Sequence, residues 1–323
     1  MDKLVRDDLP PRISRQEREG REILEGIHER NPFKGGCAIE VTGMPGSCKT
    51  AVLLAFINYI LTHHKDERVY FSNSYGTPLQ ITKLEPDQYV ILVQKDAGVT
   101  FFDRNKGQPI ELPVIEFNDF DDLYYKSSQN KCNCVFFGRR EIWMLWIEYL
   151  MSKNGWHSIF FDEMSEVTPE ETTGKIYKMT FRFANRVMGQ SRKCNMIIGY
   201  NTQRYSEVSW RVRRKLTHKI WLPGAKVDGI TRVQQRAVDN LKRDAKHGNT
   251  GIIDFGGIFG YIKFGDIFEP KLDLNIVAYS ATENKELINN GNTTKRTRTP
   301  NIEGHTTSSK TTVGLSEYKN RKH

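Results

Sequence analysis

The clearest pattern of hydrophobic positions lies in the first fifth of the chain. Cys37, Ile39 and Val41 are apolar at every second position, which is typical of a buried β-strand. From Ala51 to Leu61 the chain is almost continuously apolar, with a length and spacing that favour an α-helix. The pattern therefore predicts a strand, a short glycine-containing loop and a helix in succession.

Other apolar segments predict a sheet with helices between its strands. Segments of strand length lie at 67–72, 132–138, 157–161, 195–200 and 217–222, and helical patterns span 13–30, 140–153 and 228–247. A glycine-rich, aromatic stretch at 251–268 indicates a hairpin. Because strands and helices alternate along the chain, the predicted fold class is α/β.

Composition divides the chain into three parts. Residues 1–34 form a polar extension with a helical pattern, and residues 35–280 hold the α/β domain. Within that domain, 75–130 contain several extended stretches in a broken pattern, which predicts a β-rich insertion. Residues 281–323 are dominated by Thr, Asn, Lys, Arg and Gly, so we expect a disordered basic tail.

The loop between the first predicted strand and helix has the residue types of a phosphate-binding loop. It consists of Gly43, Met44, Pro45, Gly46, Ser47, Cys48, Lys49 and Thr50. Backbone N–H groups of such a loop cradle a triphosphate, and the helix N-terminus faces its negative charge. We expect Lys49 to neutralise the β- and γ-phosphates of ATP and the Thr50 hydroxyl to ligate Mg²⁺.

One position of this loop departs from the usual motif. Cys48 stands immediately before the lysine, where glycine normally lets the backbone approach the phosphates. The Cβ atom and thiol take up space, so we expect weaker nucleotide binding than with glycine. A working site in which Cys48 simply fits is favoured over a vestigial site or a chance loop. A thiol that gates ATP binding by oxidation is the least favoured interpretation.

The apolar segment at 157–161 ends in two carboxylates, Asp162 and Glu163. At the end of a strand downstream of a phosphate-binding loop, an aspartate holds Mg²⁺ through water and a glutamate can deprotonate the attacking water. The alternative is an acidic pair that begins a helix, a common surface feature. The strand context favours metal organisation by Asp162 and a general-base role for Glu163.

The strand at 195–200 is followed by polar residues that include Thr202 and Gln203. A polar side chain at the end of a strand beside the Asp162 strand can contact the γ-phosphate or the attacking water. Gln203 is the predicted sensor, with an ordinary capping amide as the alternative. Four cations follow within 211–215, and one of them, Arg211 or Arg213, is predicted to be an arginine finger for a neighbouring subunit.

Positive charge is concentrated in two segments. The net charge is +9, while 204–247 hold 12 Lys and Arg against 4 Asp and Glu, and 281–323 hold 8 against 4. The rest of the chain is therefore slightly acidic. This distribution indicates a polyanionic partner such as DNA, although a merely solvated basic helix accounts for the charge equally well.

The motif series resembles the FtsK/HerA superfamily of RecA-like ATPases. It comprises the phosphate-binding loop, the strand ending in Asp162 and Glu163, Thr202-Gln203 after the next strand, and the arginine-rich stretch. Thr202-Gln203 followed by Trp210-Arg211-Val212-Arg213 is most similar to zonular-occludens-toxin-like phage assembly ATPases and viral genome-packaging ATPases. The resemblance covers roughly residues 35 to 225. Cys48, the insertion and the lack of a transmembrane segment after the ATPase domain are its departures from the family pattern.

The resemblance implies a RecA-like P-loop NTPase that uses ATP and Mg²⁺, forms a homo-oligomer such as a hexameric ring, and moves DNA. It also raises viral structural proteins as partners. A zonular-occludens-toxin-like virion assembly ATPase, or a nucleotide-gated binding module with little turnover, is the alternative function. A small-molecule kinase is disfavoured, because Asp162-Glu163 suits water activation and the C-terminal half is basic.

Cysteine usage and hydropathy favour a protein of the cell interior. The five cysteines lack a disulfide spacing, and Cys132-x-Cys134 has no second pair of metal-ligating residues nearby, so buried reduced thiols are expected. The N-terminus lacks the apolar run of a signal peptide. We therefore expect a cytoplasmic location in a host cell, with virion association during assembly as a further expectation.

Overall fold

The fold is built on one large, mostly parallel β-sheet with helices on both faces, as seen in a computed structural model of the chain. The structure describes residues 14–19, 36–170, 173–203, 205–226, 232–244, 250–255, 258–263 and 276–280. The tail predicted at 281–323 and most of the N-terminal extension lie outside these residues.

Fourteen strands and six α-helices are present in the described part of the chain. The helices are α1 Lys49–His63, α2 Phe120–Lys126, α3 Ile142–Leu150, α4 Gly174–Arg182, α5 Trp210–Arg213 and α6 Arg232–Asp244, with a π-helical segment Phe183–Met188 directly after α4. The strands are β1 Ser14–Glu19, β2 Ala38–Thr42, β3 Arg68–Ser72, β4 Tyr89–Gln94, β5 Thr100–Asp103, β6 Gln108–Ile110, β7 Val114–Phe117, β8 Cys132–Phe136, β9 His157–Phe161, β10 Met196–Thr202, β11 His218–Trp221, β12 Thr250–Phe255, β13 Ile258–Lys263 and β14 Ile276–Tyr279.

The central sheet has eleven strands in the order β1-β13-β12-β11-β2-β10-β9-β3-β8-β4-β7. All neighbours from β11 to β7 are parallel, whereas β12 is antiparallel to both β11 and β13. The predicted α/β class is confirmed. The strand β10 lies between β2 and β9, so it separates the strand before the phosphate-binding loop from the strand that precedes Asp162.

Alternation along β2 divides its side chains between two hydrophobic layers. Ile39 and Val41 face the layer that contains α1, and Ala38 faces the layer that contains α3 and the π-helical segment. Other parts of the fold cover helix α1 on most sides, which accounts for its nearly continuous apolar sequence. Leu53 and Ile57, for example, are fully buried. Both faces of the parallel strands are thus sealed from water, as expected for a sheet of this kind.

The N-terminal helix predicted over 13–30 is wrong for the residues that the structure describes there. Ser14–Glu19 form a strand that pairs parallel to β13 at the edge of the sheet. The segment SRQERE is polar and has weak local preference, and pairing with an edge strand satisfies its backbone groups. The remainder of the predicted helix lies outside the described residues.

The region 75–130 is rich in strands, yet much of it belongs to the main sheet. Strands β4 and β7 extend the sheet beyond β8, so they are not part of a separate module. Only β5 and β6 leave it and form a second, three-stranded sheet with β14, which comes from the other end of the domain. Sequence alone missed this division, because the pairing of β5 with β14 is long-range.

Elements in the C-terminal half of the domain lie where the sequence predicts them, as far as the structure describes that half. Strand β11 corresponds to the strand predicted at 217–222, and helix α6 to the helix predicted at 228–247. Strands β12 and β13 correspond to the hairpin predicted at 251–268. Cys132 and Cys134 are buried and are not in disulfides. No helix among the described residues is long and apolar enough to cross a membrane.

Candidate nucleotide-binding site

The loop after β2 turns into α1 through two residues with left-handed backbone. Gly46 has φ 79°, and Cys48, the residue immediately before the helix, has φ 66°. Glycine adopts this conformation freely, whereas a residue with a Cβ atom pays a steric cost. The structure therefore supplies a backbone reason for the glycine usually found at position 48, beyond proximity to phosphate.

Gly43 and Lys49 close the loop from its two ends. A Cβ atom on Gly43 would lie 2.3 Å from Ser47 Oγ and 2.9 Å from Leu222 Cβ, so a side chain has no space there. The Lys49 ammonium donates hydrogen bonds to the carbonyl oxygens of Gly43 at 2.9 Å and Met44 at 3.1 Å. Partial burial lowers the pKa of Lys49, while the carboxylates Glu163 and Asp162 act in the opposite direction.

Three side chains from different elements meet at the carboxyl edge of the sheet. The hydroxyl of Thr50, in the first turn of α1, donates a 2.7 Å hydrogen bond to Oδ1 of Asp162. Asn201 Nδ2 lies 3.3 Å from Thr50 Oγ1 and 3.5 Å from Asp162 Oδ1. The parallel pairing of β10 with both β2 and β9 brings these strand ends together.

The oxygen atoms of this cluster suit a hard divalent cation. Two adjacent ligands of an octahedral Mg²⁺ ion lie about 3 Å apart, since each is 2.0–2.1 Å from the metal. Thr50 Oγ1 and Asp162 Oδ1 are 2.7 Å apart, close to that spacing. Burial raises the pKa of Asp162, and its hydrogen bonds from Thr50 and Asn201 and the charges of Lys83 and Lys49 counteract the increase.

Two buried polar atoms beside the cluster lack a hydrogen-bond partner among the described residues. They are Ser47 Oγ in the phosphate-binding loop and Asn201 Oδ1. A buried polar atom without a partner is costly unless a ligand or water satisfies it. Both atoms therefore fit a site that holds a phosphate-bearing, hydrated metal complex.

Glu163 has the surroundings of a general base at neutral pH. Burial raises the pKa of its carboxyl to about 7, with Glu166 and Asp162 adding to the increase and hydrogen bonds from Ser165 opposing it. Glu163 Oε1 accepts these bonds from Ser165 Oγ at 2.8 Å and from Ser165 N at 3.3 Å. A carboxyl with a pKa near the working pH can accept a proton and later release it.

The predicted sensor Gln203 lies just beyond β10 and is exposed. The residue of this strand end that contacts Thr50 and Asp162 is instead Asn201. The local pattern points to Gln203 alone, because the extent of β10, which decides the amide that lies beside Thr50, depends on strand pairing. The sensor role of Gln203 stays a prediction.

The two candidate arginine fingers contact their own chain. The Arg211 guanidinium donates a 3.0 Å hydrogen bond to Tyr177 OH and lies 4.7 Å from the Trp210 ring centroid. Arg213 interacts electrostatically with the fully buried Glu40, whose pKa is raised to about 8 by burial, against the opposing effects of Lys219 and Arg213. A finger role would require either arginine to exchange these contacts for one across a subunit boundary.

Lys83 is a cation of this region that the sequence did not single out. It ends a short 3₁₀-helix, Gln80–Lys83, whose first N–H donates a 2.8 Å hydrogen bond to Asn73 Oδ1 just after β3. Burial lowers the pKa of Lys83, and the negative charge of Asp162 opposes that change. No local motif surrounds Lys83, so only the fold could reveal its proximity to Asp162.

Comparison with solved structures finds distant similarities. The genome packaging NTPase of Sulfolobus turreted icosahedral virus 2, in complex with sulfate, matches with TM-score 0.46 and 12% identity over 72% of this chain and 97% of that chain. The N-terminal domain of zonular occludens toxin from Neisseria meningitidis matches with TM-score 0.28 and 15% identity over 58% and 76%. The pCW3 conjugation coupling protein TcpA, with ATPγS, matches with TM-score 0.39 and 9% identity over 72% and 62%.

Two groups named by the motif resemblance, viral packaging ATPases and zonular occludens toxin, thus recur among these structures. No protein-family model and no curated protein matches the sequence.

Proposed function

We propose that this protein hydrolyses ATP with Mg²⁺ and uses the reaction to move DNA through a ring of subunits, as a packaging or translocating ATPase. The observation that carries the proposal is the convergence of Thr50, Asp162 and Asn201 beside Glu163. Two hydrogen-bonded oxygens that suit Mg²⁺ adjoin a carboxyl whose pKa is about 7.

Each residue has a role in this proposal. Lys49 neutralises the β- and γ-phosphates, while Thr50 and Asp162 hold Mg²⁺ directly or through water. The metal, when bound, would neutralise charge that develops on the phosphate oxygens. Glu163 accepts the proton of a water whose oxygen forms a bond to the γ-phosphorus, while the bond from that phosphorus to the β-bridging oxygen breaks. The products are ADP and inorganic phosphate.

DNA as the moved ligand is supported by the charge distribution. The segment 204–247 carries a surplus of eight positive charges and includes α5 and α6, and Arg236 on α6 is exposed. Contacts to phosphates gain from counterion release, so this surplus favours a polyanion. The side chains of Arg232 and Arg243 on the same helix lie outside the described residues.

A nucleotide-gated binding or assembly module is the second candidate, and Cys48 favours it. The left-handed backbone at this position costs energy in a residue other than glycine, so the loop holds its phosphate-binding conformation less favourably than the usual motif does, and we expect weaker ATP binding and slower turnover. Such a module would bind ATP and change shape without repeated hydrolysis.

Steady-state ATP turnover with and without DNA tests the proposal. The translocase predicts Mg²⁺-dependent turnover that DNA stimulates and that Glu163→Gln abolishes. Tight ATP binding with no more than one turnover, whether or not DNA is present, would favour the gated module and overturn the translocase.

A further inference from the structure

Aromatic and cationic side chains form one cluster on α4, on α5 and on the residue that follows α5, and most of them are exposed. We call this surface the basic aromatic face; it comprises Tyr177, Lys178, Phe181, Trp210, Arg211 and Arg214. Two of its large apolar side chains are unusually accessible, with 41% of Trp210 and 48% of Phe181 exposed. Exposed aromatic groups beside cations are typical of a binding surface.

Arg211 lies at the centre of the cluster and contacts three rings. Its guanidinium carbon is 4.7 Å from the centroid of Trp210, 4.8 Å from that of Tyr177 and 5.7 Å from that of Phe181. Arg211 Nη2 donates a 3.0 Å hydrogen bond to Tyr177 OH, and this bond fixes the orientation of the guanidinium plane. These contacts hold the rings in place, which lowers the entropy that a ligand would otherwise lose on binding them.

The surroundings of the rings are strongly positive. Helix α4 has three cations and no acidic residue in the sequence GKIYKMTFR, and α5 begins a run, WRVRRK, with four cations and no acidic residue. Arg214 is exposed and lies 5.2 Å from the Trp210 centroid, and Lys178 is exposed one turn before Phe181 and Arg182. Two acidic residues adjoin the face: Glu148 pairs with Arg182 and Arg186 at 2.7 and 2.6 Å, and the Glu170 carboxylate accepts a hydrogen bond from Trp210 N at 2.6 Å.

Rings that accept a flat stacking partner, combined with cations that accept phosphate, match the chemistry of an unpaired nucleic acid strand. A duplex covers the faces of its bases and would use only the cations. We propose that the basic aromatic face binds single-stranded DNA, with bases stacked on Trp210 and Phe181 and phosphates beside Arg214 and Lys178. This inference rests on the proposed function and deepens it by naming the strand form.

The face is connected by backbone contacts to the segment that follows Glu163. Ser209 N donates to Thr168 O at 3.0 Å, Glu170 N donates to Glu207 O at 3.1 Å, and Trp210 N donates to the Glu170 carboxylate at 2.6 Å. The residues from Glu163 to Glu170 therefore form one support beneath the start of α5.

The experiment measures fluorescence anisotropy of a labelled oligo(dT) strand and a labelled hairpin duplex, with the full-length protein and no nucleotide. Trp210→Ala should weaken oligo(dT) binding on the order of tenfold, because stacking contributes about 1–3 kcal/mol per base, and should change duplex binding little. Arg214→Ala should flatten the slope of log K against log salt by about 0.7 for the single strand, whereas Trp210→Ala should leave this slope unchanged.

Matched controls are available elsewhere on the surface. Tyr125 is 86% exposed on α2 and Lys106 has a side chain that is 67% exposed in the β5–β6 turn. Tyr125→Ala and Lys106→Ala should keep wild-type affinity for both probes. Far-ultraviolet circular dichroism of each variant checks folding, and Trp210→Phe, which keeps a stacking ring, should retain most of the affinity.

Three results would overturn the inference. They are equal loss of duplex and single-strand affinity in Trp210→Ala, unchanged oligo(dT) affinity in that folded variant, and a lower oligomer mass of Trp210→Ala in light scattering without DNA. The last would show that the face is a contact between subunits. Because binding is measured without ATP, absent ATP turnover would overturn the proposed function and leave this result unaffected.

Discussion

The Thr50 hydroxyl donates a 2.7 Å hydrogen bond to Oδ1 of Asp162, although the two residues are 112 positions apart in the sequence. The bond joins the first turn of α1 to the end of β9. Since β10 lies between β2 and β9, its residue Asn201 completes the contact from the middle. The three side chains thus depend on one another for their positions, so a change to any of them should disturb the candidate metal site.

Lys49→Ala and Glu163→Gln should separate binding from turnover. Lys49→Ala removes the cation of the phosphate-binding loop, so ATP affinity should fall by about 10- to 100-fold, as expected for charged hydrogen bonds of about 1.5–3 kcal/mol. Glu163→Gln should keep ATP affinity and lower kcat by about 10²- to 10⁴-fold. Calorimetry and phosphate release measure the two effects, and wild-type turnover in Glu163→Gln would rule out that residue as the base.

Cys48→Gly should strengthen ATP binding and should not destabilise the protein. A left-handed residue with a Cβ atom costs about 1–2 kcal/mol, and the entropy of glycine in the unfolded chain offsets about 0.5–1 kcal/mol of that gain. Urea denaturation and binding of a non-hydrolysable ATP analogue measure both quantities. Cys48→Ala is the control, since it removes the thiol but keeps the Cβ atom and should remain close to wild type.

Turnover should depend on pH through Glu163. The base acts when deprotonated and its pKa is about 7, so kcat/KM, which reports the pKa values of the free enzyme, should rise about tenfold per pH unit below 7 and level off above it. The folded pKa is raised above its ordinary value of 4.5, so the stability contributed by the protonated carboxyl is present below pH 4.5 and is lost as pH rises through about 7. A pH–rate profile flat from 5 to 8 would contradict the assignment.

Asn201→Ala and Gln203→Ala distinguish the two amides at the end of β10. Asn201→Ala removes the contacts to Thr50 and Asp162, so we expect kcat to fall about tenfold or more with a smaller change in KM. Gln203→Ala tests the sensor predicted from sequence, and a comparable fall in kcat would establish that role. If only Asn201→Ala lowers kcat, the sensor is Asn201, two residues before the position that the sequence suggested.

Mixing subunits tests the arginine finger. If Arg211 or Arg213 acts in a neighbouring site, an Arg211→Ala or Arg213→Ala protein mixed with Glu163→Gln should regain part of its ATP turnover at mixed interfaces. Each protein supplies the group that the other lacks. Mass photometry must first show that the subunits exchange. No recovery at any mixing ratio would leave Arg211 and Arg213 with the contacts to Tyr177 and Glu40 described above.

The sequence by itself determined the elements whose signals are local. Alternating apolar residues specified β2, continuous apolar runs specified α1 and β9, and the motif residues Lys49, Thr50, Asp162 and Glu163 follow from their places at the ends of those elements. These features depend on neighbours within a few positions, so their physical cause is visible in the chain itself.

Tertiary structure decided what depends on contacts between distant segments. Strand pairing and its register placed Asn201 rather than Gln203 against Thr50, paired β14 with β5, and turned the polar residues Ser14–Glu19 into an edge strand. The packing of α4 beside α5 enclosed Arg211 among three aromatic rings. None of these outcomes has a local pattern, because the energy of pairing and packing comes from partners that only the folded chain brings together.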